Sequence, residues 1–317
     1  MKSIIILIHY FGKWPEWFPL YLESCRHNPT ITWLFHTDCP FDSFQVKNVA
    51  FRYISREDFV KRVRERLGVH FSMEGNYKLC DLKPMMGALC EEEIRGYDFY
   101  GYGDIDVIYG DIRKFYTDEV LQNNVLSTHA WCISGHLALF RNKRWVRQSF
   151  RRHKDWRRVL EDPAHQRFDE DMYPAVFAYP AMRRRIDFFL YDLMHPFSIK
   201  YRRKLYFREQ YTTPLIPGEW RNGTFNHPNV WFWKNGCITN ELDGDTPYIY
   251  FHFMNFKHAR YMNPAWGKEA YWSKLSHIVH VRPEEMANGI RIDRFGFHPL
   301  QQTSMEQQHI NNKKAIP

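Results

Sequence analysis

The chain has 317 residues, 44% hydrophobic and 17% aromatic, which excludes a disordered protein and leaves room for one large domain or two modest ones. Its net charge of +8 is concentrated in "RNKRWVRQSFRRHKDWRR" (141–158), "RRR" (183–185) and "KYRRK" (200–204). Basic tracts interleaved with aromatic rings suit an anionic partner such as nucleic acid, a phospholipid surface or a phosphorylated substrate, and equally a solvated face with snorkelling arginines.

The first apolar run, "IIILI" at 4–8, is five residues long and has no cleavage-site pattern after it. It reads as a buried strand (3–9) and not as a signal peptide or membrane span. A Gly, Pro and Trp loop follows, then a helix to about Arg26 and a strand at 31–36 ending in Thr37-Asp38. Residues 48–54 are a further strand. Ser55 reads as the N-cap of a helix that Gly68 ends. A longer helical pattern spans 77–95 despite Pro84, and a strand region covers 97–109. This alternation predicts a largely parallel α/β sheet, in which ligands sit at the carboxyl ends of strands. His9-Tyr10, Thr37-Asp38 and Gly103–Asp106 fall at such ends. Beyond about residue 125 the rhythm loosens. "HAWCISGHLALFRN" (129–142) predicts a strand pair around a Ser-Gly turn, and "FDEDMYPAVFAY" (168–179) opens like a helix. Residues 205–250 read as a β-rich excursion, and 301–317 as a loose polar tail. Six scattered cysteines (25, 39, 80, 90, 132 and 237) have no CxxC pair, which suits a reducing compartment and a cytoplasmic location.

The chemistry centres on "GYGDIDVIYGD", where Asp104 and Asp106 close a run that otherwise reads as buried strand. On extended backbone two such acids point to opposite faces, but at a strand end both can converge on one cation. Hard oxygen ligands of this kind suit Mg²⁺ or Mn²⁺ with phosphates as further ligands. A polar turn with capping acids is the plain alternative. Asp111 reads as a cap for the next turn.

"NYKLCDLKPMMGALCEEEIRGYDFYGYGDIDV" resembles the signature of nucleotide-sugar glycosyltransferases of the GT-A fold, in which a helical Asp precedes a strand ending in Gly-x-x-Asp-x-Asp. The similarity is to bacterial surface-polysaccharide (O-antigen and capsule) transferases and runs over about residues 3–260. Where many GT-A enzymes carry Arg three residues after the helical Asp, this chain has Lys83-Pro84. The resemblance implies a Rossmann-like, mixed, mostly parallel central sheet flanked by helices, with a β-rich and helical C-terminal part. It implies one domain over 1–300, with a nucleotide-sugar half at 1–125 and an acceptor half at 126–300. The donor would meet His9, Tyr10, Phe11, Gly12, Thr37, Asp38, Tyr77, Lys78, Asp81 and Asp104. Asp104, Asp106 and His252 would hold a divalent metal, Mn²⁺ in preference to Mg²⁺ because of the imidazole. Lys257 would stabilise the leaving diphosphate. Trp131, Ser134, Gly135 and His136 would shape the acceptor site. Asp169 or Glu170 would serve as general base if the reaction inverts; acids complementing a helix N-terminus are the plain alternative. The implied partners are a UDP-linked donor, a lipid-linked glycan acceptor and, peripherally, the inner membrane face, with no nucleic acid. A metal-dependent nuclease or phosphohydrolase, and a carbohydrate-binding protein without activity, are the rival readings.

Overall fold

The computed structural model describes residues 1–177, 204–258 and 269–300. The tail at 301–317, the "RRR" tract and most of "KYRRK" lie outside these residues. Seven strands form the main sheet: β1 (Ile4–Tyr10), β2 (Ile31–Thr37), β3 (Val49–Tyr53), β4 (Phe99–Gly103), β6 (Val125–Ser127), β7 (Leu137–Arg141) and β8 (Leu205–Phe207). They lie in the order β3-β2-β1-β4-β7-β6-β8. The pairings β2–β3, β1–β2, β1–β4 and β6–β8 are parallel, and β4–β7 and β6–β7 are antiparallel. The sheet is thus mixed and mostly parallel, with helices against it, as the sequence predicts. Because β6 to β8 extend the same sheet, the two expected halves meet inside one sheet.

The unbroken "IIILI" run follows from burial on both faces. Ile5 and Leu7 pack against Phe59, Val63 and Leu67 of helix α2 (Arg56–Leu67). Ile4, Ile6 and Ile8 pack against Phe18, Tyr21 and Leu22 of α1 (Phe18–Arg26). Ser55 caps α2 by accepting from Asp58 N, and Gly68 closes it at φ 66°. A second, antiparallel sheet in the C-terminal part runs β11-β10-β9-β13-β14. Its strands are β9 (Trp231–Lys234), β10 (Cys237–Asn240), β11 (Gly244–Tyr248), β13 (Ile290–Asp293) and β14 (Gly296–Pro299). Trp231, Trp233, Phe251 and Phe297 fill its core. Among the described residues no helix is long and apolar enough to cross a membrane.

Three expectations need correction. The 77–95 pattern is not one helix: it breaks into α3 (Lys78–Leu82), a 3₁₀ turn (Lys83–Met85) and α4 (Met86–Leu89). Pro84 lacks the N–H that would continue the ladder. The strand pair near 129–142 is β6 against β7, and Ser134-Gly135 leads into β7 instead of forming a tight tip. The helix expected from 168 is a π turn (Phe168–Met172) followed by a 3₁₀ turn (Tyr173–Val176).

The 97–109 run divides in a way that matters for the site. β4 ends at Gly103, and β5 (Val107–Tyr109) leaves the main sheet to pair with β12 (Tyr250–His252). Asp104, Ile105 and Asp106 form the crossing between the two. Two of its carbonyls are satisfied: Trp17 Nε1 donates to Ile105 O at 3.0 Å, and Phe253 N to Asp106 O at 3.1 Å. Asp111 caps the short helix α5 (Ile112–Phe115), accepting from Arg113 N and Lys114 N, as expected.

Candidate functional site

The crossing forms the floor of a cavity of about 590 Å³, lined among others by His9, Tyr10, Trp17, Tyr77, Lys83, Asp104, Asp106, Trp131, His136, Asp169, Glu170, His252 and Lys257. Each acid of the crossing meets a lysine. Lys83 Nζ donates to Asp104 Oδ1 at 2.6 Å and stands 3.8 Å from Asp169 Oδ2. Lys257 Nζ donates to Asp106 Oδ2 at 2.7 Å. The antiparallel register places His252 opposite Val107, so its Nε2 comes within 3.6 Å of Asp106 Oδ2. Thr213 Oγ1 is 3.0 Å from His252 Nδ1 and orients the ring. A short helix, Met254–Lys257, follows directly and carries Lys257 back over the Trp17 ring.

The electrostatics separate these acids. Burial alone would raise the Asp106 carboxyl, yet Lys257 and His252 hold it well below the usual carboxylate range. Burial lifts Asp104 above its ordinary value, against the pull of Lys83 and with a push from Asp106. Asp169 is raised well above its ordinary value by burial, with Lys83 opposing and Glu170 and Asp104 reinforcing. For Lys83, burial acts to lower the ammonium, but Asp104, Cys80 and Asp169 outweigh it and leave it well above its ordinary value. The Asp104 side chain keeps 33% of its surface open and the Lys83 side chain 6%, so carboxylate oxygen faces the cavity while the lysine lies behind it.

The remaining expected residues divide by position. Tyr10 stacks on Trp14 at 5.1 Å, and Tyr77 is exposed beside His165. Gly12 N donates to Asp38 Oδ1 at 2.7 Å, tying the ends of β1 and β2 together, while Thr37 is buried and accepts from Cys39 N. Three expected donor contacts, Phe11, Lys78 and Asp81, are not among the residues that line the cavity. Phe11 is fully buried against Phe59 in the core. Lys78 and Asp81 are buried and spend their polar atoms on the 159–168 segment: Lys78 Nζ donates to Asp81, Val159 O and Ala164 O. Asp81 also accepts from Gln166 N and Phe168 N, both at 2.8 Å. These side chains hold that segment in place.

On the other wall Trp131 is 58% exposed and stacks on His129. Ser134 Oγ lies 3.1 Å from His136 Nδ1 and Gly135 N donates to Glu170 Oε1 at 3.2 Å. A Cβ at Gly135 would stand 2.9 Å from that oxygen and 3.2 Å from Asp169 Oδ2, so a side chain there would push the Glu170 carboxylate aside and crowd Asp169. Asp169 is buried at the start of the π turn, after Arg167 at φ 56°. Its burial, with Lys83 beside it, replaces the picture of surface acids decorating a helix end. Asp104, Asp106 and His252 border one floor, and among the described residues the trios of ligand atoms that converge within 4.8 Å are His9–His36–Cys90 and Asp81–His165–Asp169. Lys83 and Lys257 each hold one acid of the pair.

Lys83, Trp17, Thr213 and His129 are the residues that reading the sequence missed. Lys83 had a signal: a lysine two residues after a helical acid and just before a helix-breaking proline. Trp17 and Thr213 had none, since only tertiary folding brings them to the crossing.

Among solved structures, galactosyltransferase LgtC in complex with donor and acceptor sugar analogs is similar at 12% identity and a TM-score of 0.40, over 88% of this chain and 98% of that one. Mouse xyloside xylosyltransferase 1 is similar at 10% identity and a TM-score of 0.33, over 79% and 97%. The glycosyltransferase GlyE of Streptococcus pneumoniae TIGR4 is similar at 12% identity and 0.26, over 51% and 44%. Likeness at this level says nothing by itself of activity. No curated protein matches the chain. A family model does, over residues 5–279, and the chain belongs to that family, DUF6625, described as a family of unknown function.

Proposed function

We propose that this protein is a glycosyltransferase that moves a sugar from a nucleotide-sugar donor to a glycan acceptor. The observation that carries the reading is the crossing itself, an Asp-Ile-Asp floor flanked by two lysines in a large cavity at the carboxyl end of β4. Departure of a nucleoside diphosphate builds negative charge, and fixed cations at that point stabilise it. Lys257, held over Trp17 and 17% exposed in its side chain, is placed to turn from Asp106 to a diphosphate oxygen. Asp104 and Asp106, with His252 beside Asp106, have the oxygen and imidazole donors that suit a divalent ion, Mn²⁺ before Mg²⁺. Such an ion would supply charge neutralisation on the diphosphate. Tyr10 and Tyr77 offer ring faces on one wall, and Trp131 offers an exposed one where the acceptor would stack. Asp169, raised by burial and standing beside Lys83 on the cavity wall, is the candidate for general base ahead of Glu170.

In this reading the donor is UDP-linked, of the UDP-galactose type, and the acceptor a growing, lipid-linked bacterial surface glycan. The enzyme would work in the cytoplasm against the inner membrane face, as the motif resemblance and the basic tracts suggest. A thermal-shift screen of nucleotide-sugars with and without Mn²⁺ tests it, because a bound donor stabilises the fold by mass action. A metal-linked rise with one nucleotide class, lost in Asp106→Asn, is expected. No shift with any nucleotide-sugar or nucleoside diphosphate in the presence of metal would sink the reading.

A further inference from the structure

Behind the cavity, three metal-ligating side chains meet inside the apolar core. His9 and His36 are register partners on the adjacent parallel strands β1 and β2, so both side chains leave the same face of the sheet. Their rings lie 5.1 Å apart. Cys90, just after α4, packs onto that face with its Sγ 3.7 Å from His9 Nε2. His9 is 8% exposed, His36 2% and Cys90 0%, among Phe11, Phe59 and Leu34. Buried polar atoms normally find hydrogen-bond partners. Here, among the described residues, His9 Nδ1 and His36 Nδ1 have none, and His36 Nε2 meets only Glu93 Oε1 at 3.4 Å. One ligand atom from each of the three residues lies within 4.8 Å of the other two.

We propose that His9, His36 and Cys90 form a structural zinc site, separate from the Asp104–Asp106 floor. Nitrogen and sulfur ligands select a borderline-soft ion such as Zn²⁺ and not Mg²⁺ or Mn²⁺. With Zn–S near 2.3 Å and Zn–N near 2.0 Å, two ligands of a tetrahedral ion stand about 3.6 Å apart, close to the Cys90–His9 separation. Binding replaces the Cys90 thiol proton, which leaves to solvent. The ion with one thiolate and two neutral imidazoles keeps a formal charge of +1. Glu93 supplies the opposing charge: its Oε1 stands 3.4 Å from His36 Nε2, while Arg62 and Arg52 hold the same oxygen at 2.6 and 3.6 Å. A carboxylate behind a ligating histidine is a common outer support of zinc sites. The site would pin the ends of β1 and β2 to α4, directly under the cavity, and it takes His9 from the donor to the scaffold.

Cobalt substitution of the full-length protein tests this. One equivalent of Co²⁺ should give a thiolate-to-cobalt charge-transfer band that Zn²⁺ displaces. The band should vanish in Cys90→Ser and His36→Gln and persist in Asp106→Asn. Glu93→Gln should weaken metal affinity by about 10–100-fold. A missing band in the wild-type protein, or one that survives Cys90→Ser, overturns the proposal. Should the variants fail to fold, elemental analysis of wild-type protein from zinc-supplemented culture decides: about one zinc per chain supports the site, and none refutes it. A nucleotide-dependent thermal shift can succeed or fail independently of either result.

Discussion

Replacing Lys83 by Met probes the floor most directly. The ammonium stands 2.6 Å from Asp104 and 3.8 Å from Asp169. With an effective dielectric of about 20 these contacts are worth roughly 6 and 4 kcal/mol gross, against several kcal/mol for desolvating the ions. Methionine fills a similar volume, so the loss is that of stranding two acids, about 3–5 kcal/mol near neutral pH. Its pH dependence is the diagnostic. Both carboxyls already have folded values above the usual range, and removing Lys83 lifts them further. A raised folded value favours the fold below the unfolded value near 3.9, and that advantage is lost as pH rises through the folded value. The deficit of Lys83→Met relative to wild type should therefore be smaller at pH 5 than at pH 8. Urea unfolding followed by tryptophan fluorescence at both pH values measures it. Asp169→Asn added to Lys83→Met should restore at least about 1 kcal/mol at pH 8. A loss below about 1 kcal/mol, or an equal loss at both pH values, refutes the argument.

Lys257→Met leaves the largely buried Asp106 carboxylate with only His252 beside it, so it should lower thermal stability at neutral pH, and it should lower turnover by about 10²–10³ in steady-state assays with the donor identified by the screen. Asp81→Ala strands the buried Lys78 ammonium and two backbone N–H groups, so it should cost about 3–5 kcal/mol by denaturant titration. Binding to vesicles of acidic lipid, read by co-sedimentation, should fall steeply between about 0.05 and 0.5 M salt as the Debye length shortens. Arg151 and Arg157, which flank the Trp156 ring at 4.8 and 4.6 Å, would contribute to such binding.

How much of this was legible in the sequence depends on whether a signal was local. β1, α1, β2 and α2 are readable because their apolar spacing, the Ser55 cap and the Gly68 stop are short-range facts. The Asp-Ile-Asp string marked the floor for the same reason. The division of 97–109 between two sheets was hidden, because it depends on β12 pairing with β5 across about 140 residues of chain. Lys78 and Asp81 show the opposite failure. An acid and a lysine three residues apart on a helix look like ligand-facing groups, yet they serve the backbone of a segment 80 residues away. The role of Lys83 was hidden because its meaning lies in what it touches, and both Asp104 and Asp169 reach it only in the folded chain.

The two lysines also set how metal and donor should bind. Each acid of the floor is already neutralised, so an incoming divalent ion competes with Lys83 for Asp104 and with Lys257 for Asp106. A lysine displaced into an empty cavity loses its partner; displaced beside a diphosphate it gains another. Metal alone and nucleoside diphosphate alone should therefore bind weakly, and each should strengthen the other. The coupling should be about 1–3 kcal/mol, or 5–150-fold, and the same in both directions. Isothermal titration of Mn²⁺ with and without saturating UDP, and of UDP with and without Mn²⁺, measures both legs. Lys257→Met sharpens the test. With Asp106 no longer held by a cation, Mn²⁺ alone should bind this variant more tightly than wild type, while its coupling to UDP shrinks. Equal Mn²⁺ affinity with and without UDP, or tighter coupling in Lys257→Met, would show that the lysines do not stand in for the metal at this floor.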